Sequence, residues 1–272
     1  MKVKELLKQT KSEDERDARI ILSHLLGVKP SELILLEDKK LPDEVIKKFH
    51  ELMKKRKEGY PVAYLIGEWE CMGRTFKVEE GVLIPRPETE ILIEKTLDKI
   101  PEDRKMVGFE LGVGTGCISI NLLLERPLLR MEGSDVNPKA VKLANENARL
   151  HKVENRFKVF LGSGFEPVKG KVFDFIVSNP PYIPKKFWDF LPKEVRREGY
   201  GSIIAGEKGY EFYEIIAEEA TNHLKKGGFV ALEIGHDQGA IVRKLFEAKN
   251  FKVRIFKDYS GYDRVVIAER WS

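Results

Sequence analysis

Ser178-Asn179-Pro180-Pro181-Tyr182-Ile183 comes directly after the run Val172-Phe173-Asp174-Phe175-Ile176-Val177. That run alternates, is mostly β-branched or aromatic, and ends abruptly at two prolines, which predicts a buried strand that stops at Asn179. The turn after such a strand sits at its C-terminal edge, where open α/β sheets bind ligands. Pro180 and Pro181 have fixed φ and no amide hydrogen, and each holds the residue before it extended. The turn therefore offers two acceptors at a set separation, the Asn179 side-chain oxygen and the Pro180 carbonyl. Together they suit a planar NH2 group, whose nitrogen is a poor nucleophile because its lone pair is delocalised. Two acceptors that hold both hydrogens orient that nitrogen and favour the positive charge it gains on attacking an electrophile. Tyr182 is placed to pack its ring on the same group. The plain alternative is a Pro-rich strand end.

Upstream, Met106 to Leu111 reads as a strand that runs into Glu110-Leu111-Gly112-Val113-Gly114-Thr115-Gly116-Cys117 and then a helix. Glycines there let the backbone approach a ligand and turn sharply into a helix N-terminus. A dinucleotide fingerprint needs glycine or alanine at position 117, and Cys117 stands there instead. The G-x-G-x-G spacing is more typical of nucleoside-binding methyltransferases. A second strand near Arg130 to Ser134 ends in Asp135, a carboxylate suited to ribose hydroxyls, followed by Val136 and a helix opened by Asn137-Pro138. A third strand, Phe157 to Leu161, ends in Gly162-Ser163-Gly164-Phe165, where Phe165 either flanks an adenine or belongs to the core.

The alternation continues with a helix from Gly209 to about His223 that ends at Gly227-Gly228, a strand from Phe229 to Ile234, a helix from Asp237 to Lys249, and a closing antiparallel pair, Phe251 to Lys257 with Arg264 to Ala268. This predicts a doubly wound, largely parallel sheet. Glu233 and Asp263 read as strand-end charges. The segment after Tyr182, with Phe187, Trp188, Phe190 and Leu191 among charges, reads as an irregular lid.

Toward the N-terminus, residues 14–27 form an amphipathic helix stopped by Gly27, and a second helix runs from Pro42 to Gly59. Residues 1–70 are expected to be a helical bundle, with Lys54-Lys55-Arg56-Lys57 a solvated basic helix end. Pro61 to Gly67, Arg74 to Val78 and Gly81 to Ile84 alternate around Glu79-Glu80-Gly81, which predicts a β-hairpin leading into Pro85-Arg86-Pro87-Glu88-Thr89-Glu90. With 272 residues, 42% hydrophobic and 34% charged, the chain has room for two modest globular domains and is not a disordered one. A net charge of +4 requires no nucleic-acid partner. Cys71 and Cys117 lack metal-ligand spacing and five histidines form no ligand pattern, so no metal is expected. Without an apolar leader or a membrane-length run, the cytoplasm is the expected compartment.

Taken together, these residues resemble the HemK/PrmC-type family of peptide-chain release-factor glutamine methyltransferases. The likeness rests on Pro61, Tyr64, Gly67, Gly73, Phe76, Val78 and Leu83-Ile84-Pro85-Arg86-Pro87-Glu88-Thr89-Glu90. It continues through Gly112 to Gly116, Asp135, Asn179 to Tyr182, Glu233-Ile234-Gly235 with Gln238, and Asp258 with Asp263-Arg264. The resemblance implies a Rossmann-like, seven-stranded S-adenosylmethionine-dependent domain over residues 96–272. A substrate-recognition bundle over 1–70 precedes it, and a connecting hairpin and linker over 71–95. It implies methyl transfer to the side-chain nitrogen of the glutamine in the release factors' Gly-Gly-Gln loop. Asn179, Pro180 and Tyr182 would be catalytic, and those three with Pro181, Arg86 and Glu88 would meet the substrate. Glu110, Gly112, Val113, Gly114, Thr115, Gly116, Asp135, Val136, Gly164, Phe165 and Asn179 would hold the cofactor. A monomer with no membrane and no direct nucleic-acid requirement is expected. Three departures stand out: Glu110 where the family usually has Asp, Cys71 where it has an aromatic residue, and a divergent segment at 198–210. An amino-methyltransferase acting on N6 of adenine in DNA or RNA is the alternative, because an exocyclic amine presents the same planar group. A non-catalytic nucleotide-binding adaptor is disfavoured by the intact turn and glycine loop.

Overall fold

A computed structural model describes residues 1–10 and 14–271; Lys11 to Glu13 and Ser272 lie outside the described residues. The elements run in the order α1 (Val3–Lys8), α2 (Glu15–Leu26), α3 (Asp43–Lys57), α4 (Val62–Ile66), β1 (Glu68–Cys71), β2 (Arg74–Lys77), α5 (Pro87–Leu97) and β3 (Met106–Leu111). Next are α6 (Cys117–Glu125), β4 (Leu129–Asp135), α7 (Pro138–Leu150), β5 (Phe157–Leu161), β6 (Phe173–Ser178) and β7 (Ile183–Pro184). Then come α8 (Lys193–Arg196), α9 (Tyr200–Ile203), β8 (Ile204–Gly206), α10 (Glu211–His223), β9 (Leu224–Glu233), α11 (Gly239–Glu247), β10 (Phe251–Lys257) and β11 (Asp263–Arg270). The chain divides into two compact units, residues 1–68 with 192–197, and residues 69–191 with 198–272.

In the first unit α2 buries Ala18, Ile21 and Leu22 and ends at Gly27, whose φ of 66° only glycine adopts without strain. Helix α3 begins after Pro42 and buries Phe49, Leu52 and Met53. Its basic end is partly neutralised, because Arg56 meets Asp17 at 2.5 Å and Glu194 at 2.7 Å. The Arg197 guanidinium lies 3.4 Å from the centre of the Tyr60 ring and donates to the Gly59 carbonyl. Residues 192–197 thus close over the turn that ends α3.

The second unit is built on a seven-stranded sheet of order β10-β11-β9-β6-β3-β4-β5, parallel except where β11 runs against β10 and β9. Strand β6 is buried along its whole length, as its near-continuous apolar run requires of a central parallel strand. Phe109, Phe173, Ile176 and Val230 pack with α10 on one face, while Met131, Phe175 and Val177 pack with α5 and α6 on the other. Helix α10 passes directly into β9, and the extra residues Lys225 to Gly228 form an irregularity opposite Phe173 and Phe175. The expected helix end at Gly227-Gly228 is therefore a feature inside the strand. Gly228 sits there because a Cβ would come within 2.6 Å of the Asp174 carbonyl.

The hairpin lies elsewhere than its expected position. Pro61 caps the short helix α4, Gly67 ends it at φ 75°, and the paired strands are β1 and β2. Their two-residue turn, Met72-Gly73, has φ of 54° and 70°, the primed geometry that matches strand twist. A methionine at the first turn position gives none of the Asn or Asp signal by which such turns are recognised. Residues 81–84 are not a strand. The segment after Tyr182 is also more ordered than an irregular lid: β7 pairs in parallel with β8, and Trp188 packs edge-on against Tyr200. Among the described residues no helix is long and apolar enough to cross a membrane, and no cluster of side chains suits a metal ion.

Candidate active site

Parallel strands β3, β4 and β6 end side by side, and their C-terminal loops open onto a cavity of about 480 Å³. Glu110 through Thr115, Asp135, Val136, Gly164, Asn179, Pro180 and Pro181 all line it. Gly112, Gly114 and Gly116 have φ of 77°, 51° and 80°. A Cβ on Gly112 or Gly114 would meet nothing within 4 Å, so the backbone there lies bare to the cavity. Gly116 is different. Its Cβ would come within 3.1 Å of Ile120 and 3.2 Å of Ala144, so it serves helix packing and does not line the cavity.

Asp135 accepts from the Gly114 amide at 3.0 Å and the Asn137 amide at 2.9 Å, which fixes its carboxylate at the cavity wall with lone pairs to spare. Burial raises its pKa above the ordinary value, against those amide bonds. Glu110 is 1% exposed, and its carboxyl accepts from the Ser119 amide at 3.1 Å and from the Ser119 hydroxyl. Burial holds its pKa well above the usual range. A buried acid of this kind suits a cationic ligand group, which would favour its ionised form. The bare glycine backbone, the Asp135 carboxylate and the buried acid at 110 together fit a nucleoside that carries a positively charged tail.

The Asn179 amide nitrogen donates to the Thr89 hydroxyl at 3.3 Å, and that hydroxyl donates to Glu233 at 2.7 Å. Thr89 and Glu233 are 2% and 1% exposed. Burial pushes the Glu233 pKa up to about 7, opposed by the Thr89 hydroxyl and by Arg264. Glu233 is therefore no ordinary strand-end charge, and a lone acid within Ala231-Leu232-Glu233-Ile234 is the sequence signal for it. Asp263 fits the strand-end reading, standing at the start of β11 and pairing with Lys257 at 3.2 Å.

Besides Gly116, four residues grouped with the site stand apart from the cavity wall. Phe165 is 5% exposed and packs in the core, its ring 4.7 Å from His223 and 5.4 Å from Phe109, so the core reading of its two alternatives describes its place. Arg86 is paired with Glu198, the first residue of the divergent segment, and Glu88 lines no part of the cavity. Tyr182 packs beside the core, where its carbonyl accepts from Gln238 at 3.0 Å and burial pushes its hydroxyl pKa up to about 12. The divergent segment itself contributes Gly199, Gly201 and Ser202 to the cavity wall.

A sheet of this order, with a glycine loop after β3, an acid at the end of β4 and Asn-Pro-Pro after β6, defines a methyltransferase-type α/β domain. The chain belongs to the family of release factor glutamine methyltransferases. It is 67% identical, over its whole length and 97% of the relative's, to the release factor glutamine methyltransferase of Aquifex aeolicus. It is 37% identical over 99% of both chains to the enzyme of that name from Bacillus cereus. Family models for the PrmC N-terminal domain and the methyltransferase small domain match residues 2–67 and 87–189. The fold is shared with the crystal structure of a methyltransferase from Pyrococcus furiosus, at 17% identity and a TM-score of 0.56 over 82% of this chain and 98% of that one.

Proposed function

We propose that the chain transfers a methyl group from S-adenosylmethionine to the side-chain nitrogen of the glutamine in the Gly-Gly-Gln loop of peptide-chain release factors. One observation carries the reading: Asn179 and Pro180 share a single cavity wall with the bare glycine backbone and Asp135. Full-length similarity to relatives of that name supports the choice of substrate. In this reading Asp135 accepts the ribose hydroxyls, Gly112 to Thr115 lie along the nucleoside, and Glu110 faces the cationic tail. The bound cofactor would supply an electrophilic methyl group on a sulfonium: the new N–C bond forms as the S–C bond breaks, S-adenosylhomocysteine leaves with the electron pair, and the methylated nitrogen gives up one hydrogen as a proton to water. Asn179 and Pro180 hold both hydrogens of the glutamine amide, favouring the charge its nitrogen acquires, and alignment is worth ~7–11 kcal/mol. With the Tyr182 hydroxyl held protonated by burial, Tyr182 acts through its ring and backbone and not as a base. Residues 1–68 are assigned to recognition of the protein substrate. Release factors work on ribosomes, so the cytoplasm is the compartment this reading implies.

The test is mass spectrometry of a release factor incubated with the protein and S-adenosylmethionine. A single added methyl group on the Gly-Gly-Gln glutamine is expected, with duplex DNA left unlabelled in a parallel reaction. Labelled DNA and an unchanged release factor would overturn the assignment.

A further inference from the structure

A carboxamide has an acceptor end and a donor end, and only the acceptor end of Asn179 can hold a substrate NH2. Nothing in the Asn-Pro-Pro turn itself decides which end faces the cavity. The decision lies with residues far off in sequence. Thr89 stands at the start of α5 and Glu233 at the end of β9, 90 residues from Asn179 and 144 from Thr89 respectively. A threonine hydroxyl has one hydrogen to give. Given to Glu233, it leaves the Thr89 oxygen able only to accept, and what it accepts is the Asn179 NH2.

We propose that Thr89 and Glu233 are positioning residues for methyl transfer, a relay whose direction turns the Asn179 carbonyl oxygen toward the substrate nitrogen. The proposal rests on the assignment of Asn179 as the acceptor for the glutamine amide. Reversal shows why direction matters. With a proton on Glu233 the carboxyl becomes a donor, the Thr89 hydroxyl can point to Asn179, and the NH2 end would then face the substrate's own NH2. Burial acts most strongly on Glu233, opposed by the Thr89 hydroxyl, by Arg264 on β11 and by Arg86 before α5, and reinforced by Glu88 on α5; Tyr182 after β6, Tyr213 on α10 and Cys117 on α6 feel the charge of Glu233 in turn. Both relay residues are buried, and Thr89 also lines the cavity beside Asn179.

The experiment compares kcat, KM for the release factor and cofactor Kd in the full chain for Thr89→Val, Thr89→Ser, Glu233→Gln and Asn179→Ala. Thr89→Val keeps the shape of the side chain and removes the relay. It is expected to lower kcat by about 10- to 100-fold, the cost of a misplaced catalytic group, with cofactor Kd unchanged. Thr89→Ser restores most of that loss, which a packing role would not predict. The wild-type kcat is expected to rise with pH through about 7 as Glu233 ionises, and Glu233→Gln is expected to remove that rise. Wild-type kcat in Thr89→Val beside an inactive Asn179→Ala would overturn the relay and leave the Asn179 assignment standing. Wild-type turnover in Asn179→Ala would overturn the assignment and the relay with it. Should Thr89→Val fail to fold, a Glu233→Gln profile that keeps the wild-type rise overturns the proposal on its own.

Discussion

Glu198 closes the ring between two stretches 112 residues apart: its carboxylate, 2% exposed, takes the Arg86 guanidinium on one oxygen and the Ile84 amide at 3.1 Å on the other. The signature at 85–90 is thereby anchored to the start of the divergent segment. Removing Arg86 takes one charged hydrogen-bond partner from a buried carboxylate, while the Ile84 bond persists. Arg86→Ala is expected to destabilise the second unit by ~1–3 kcal/mol, read as a lower urea midpoint, with Arg86→Lys intermediate.

Glu110 is held above the usual carboxylate range by burial, so a cation bound beside it shifts it toward the ionised form. Binding of S-adenosylmethionine is then expected to release protons. Calorimetry in buffers of different ionisation enthalpy measures that release, and Glu110→Gln abolishes it.

Glu233 also carries a sign for stability. Its folded pKa of about 7 lies above the ordinary 4.5, so its favourable contribution is complete below 4.5 and is lost as pH rises through about 7. Denaturation midpoints of Glu233→Gln, compared with wild type across that window, should lack this decline.

Asn147 is fully buried, accepts from the Lys77 amide at 2.8 Å, and donates to the carbonyls of Lys77 and Thr115 at 3.0 and 2.9 Å. It joins α7, the end of β2 and the glycine loop in one side chain. Asn147→Ala is expected to cost ~1–3 kcal/mol for the polar groups left unpaired and to weaken cofactor binding, both measurable by thermal shift with and without cofactor.

Strands β3 to β6 and the loops behind them are legible in the sequence because period-two runs and their glycine or proline stops are local signals. Asn179, Asp135 and the glycine loop come with them. The hairpin falls away from its expected place because Met72 adopts a left-handed turn position without the residue types that announce one. Thr89, Glu198 and Asn147 escape a sequence reading as structural ties, since their hydrogen bonds span from 32 to 144 residues and leave no mark in any local pattern. Glu233 carries a local mark, an acid in an apolar strand, but its partner does not.

The strap at 192–197 has a practical corollary for engineering. A fragment cut after Glu68 would leave Arg56 without Glu194 and strip the Arg197 cover from Tyr60. Chimaeras that exchange the helical part between relatives therefore need a second graft, six residues taken from the middle of the other half.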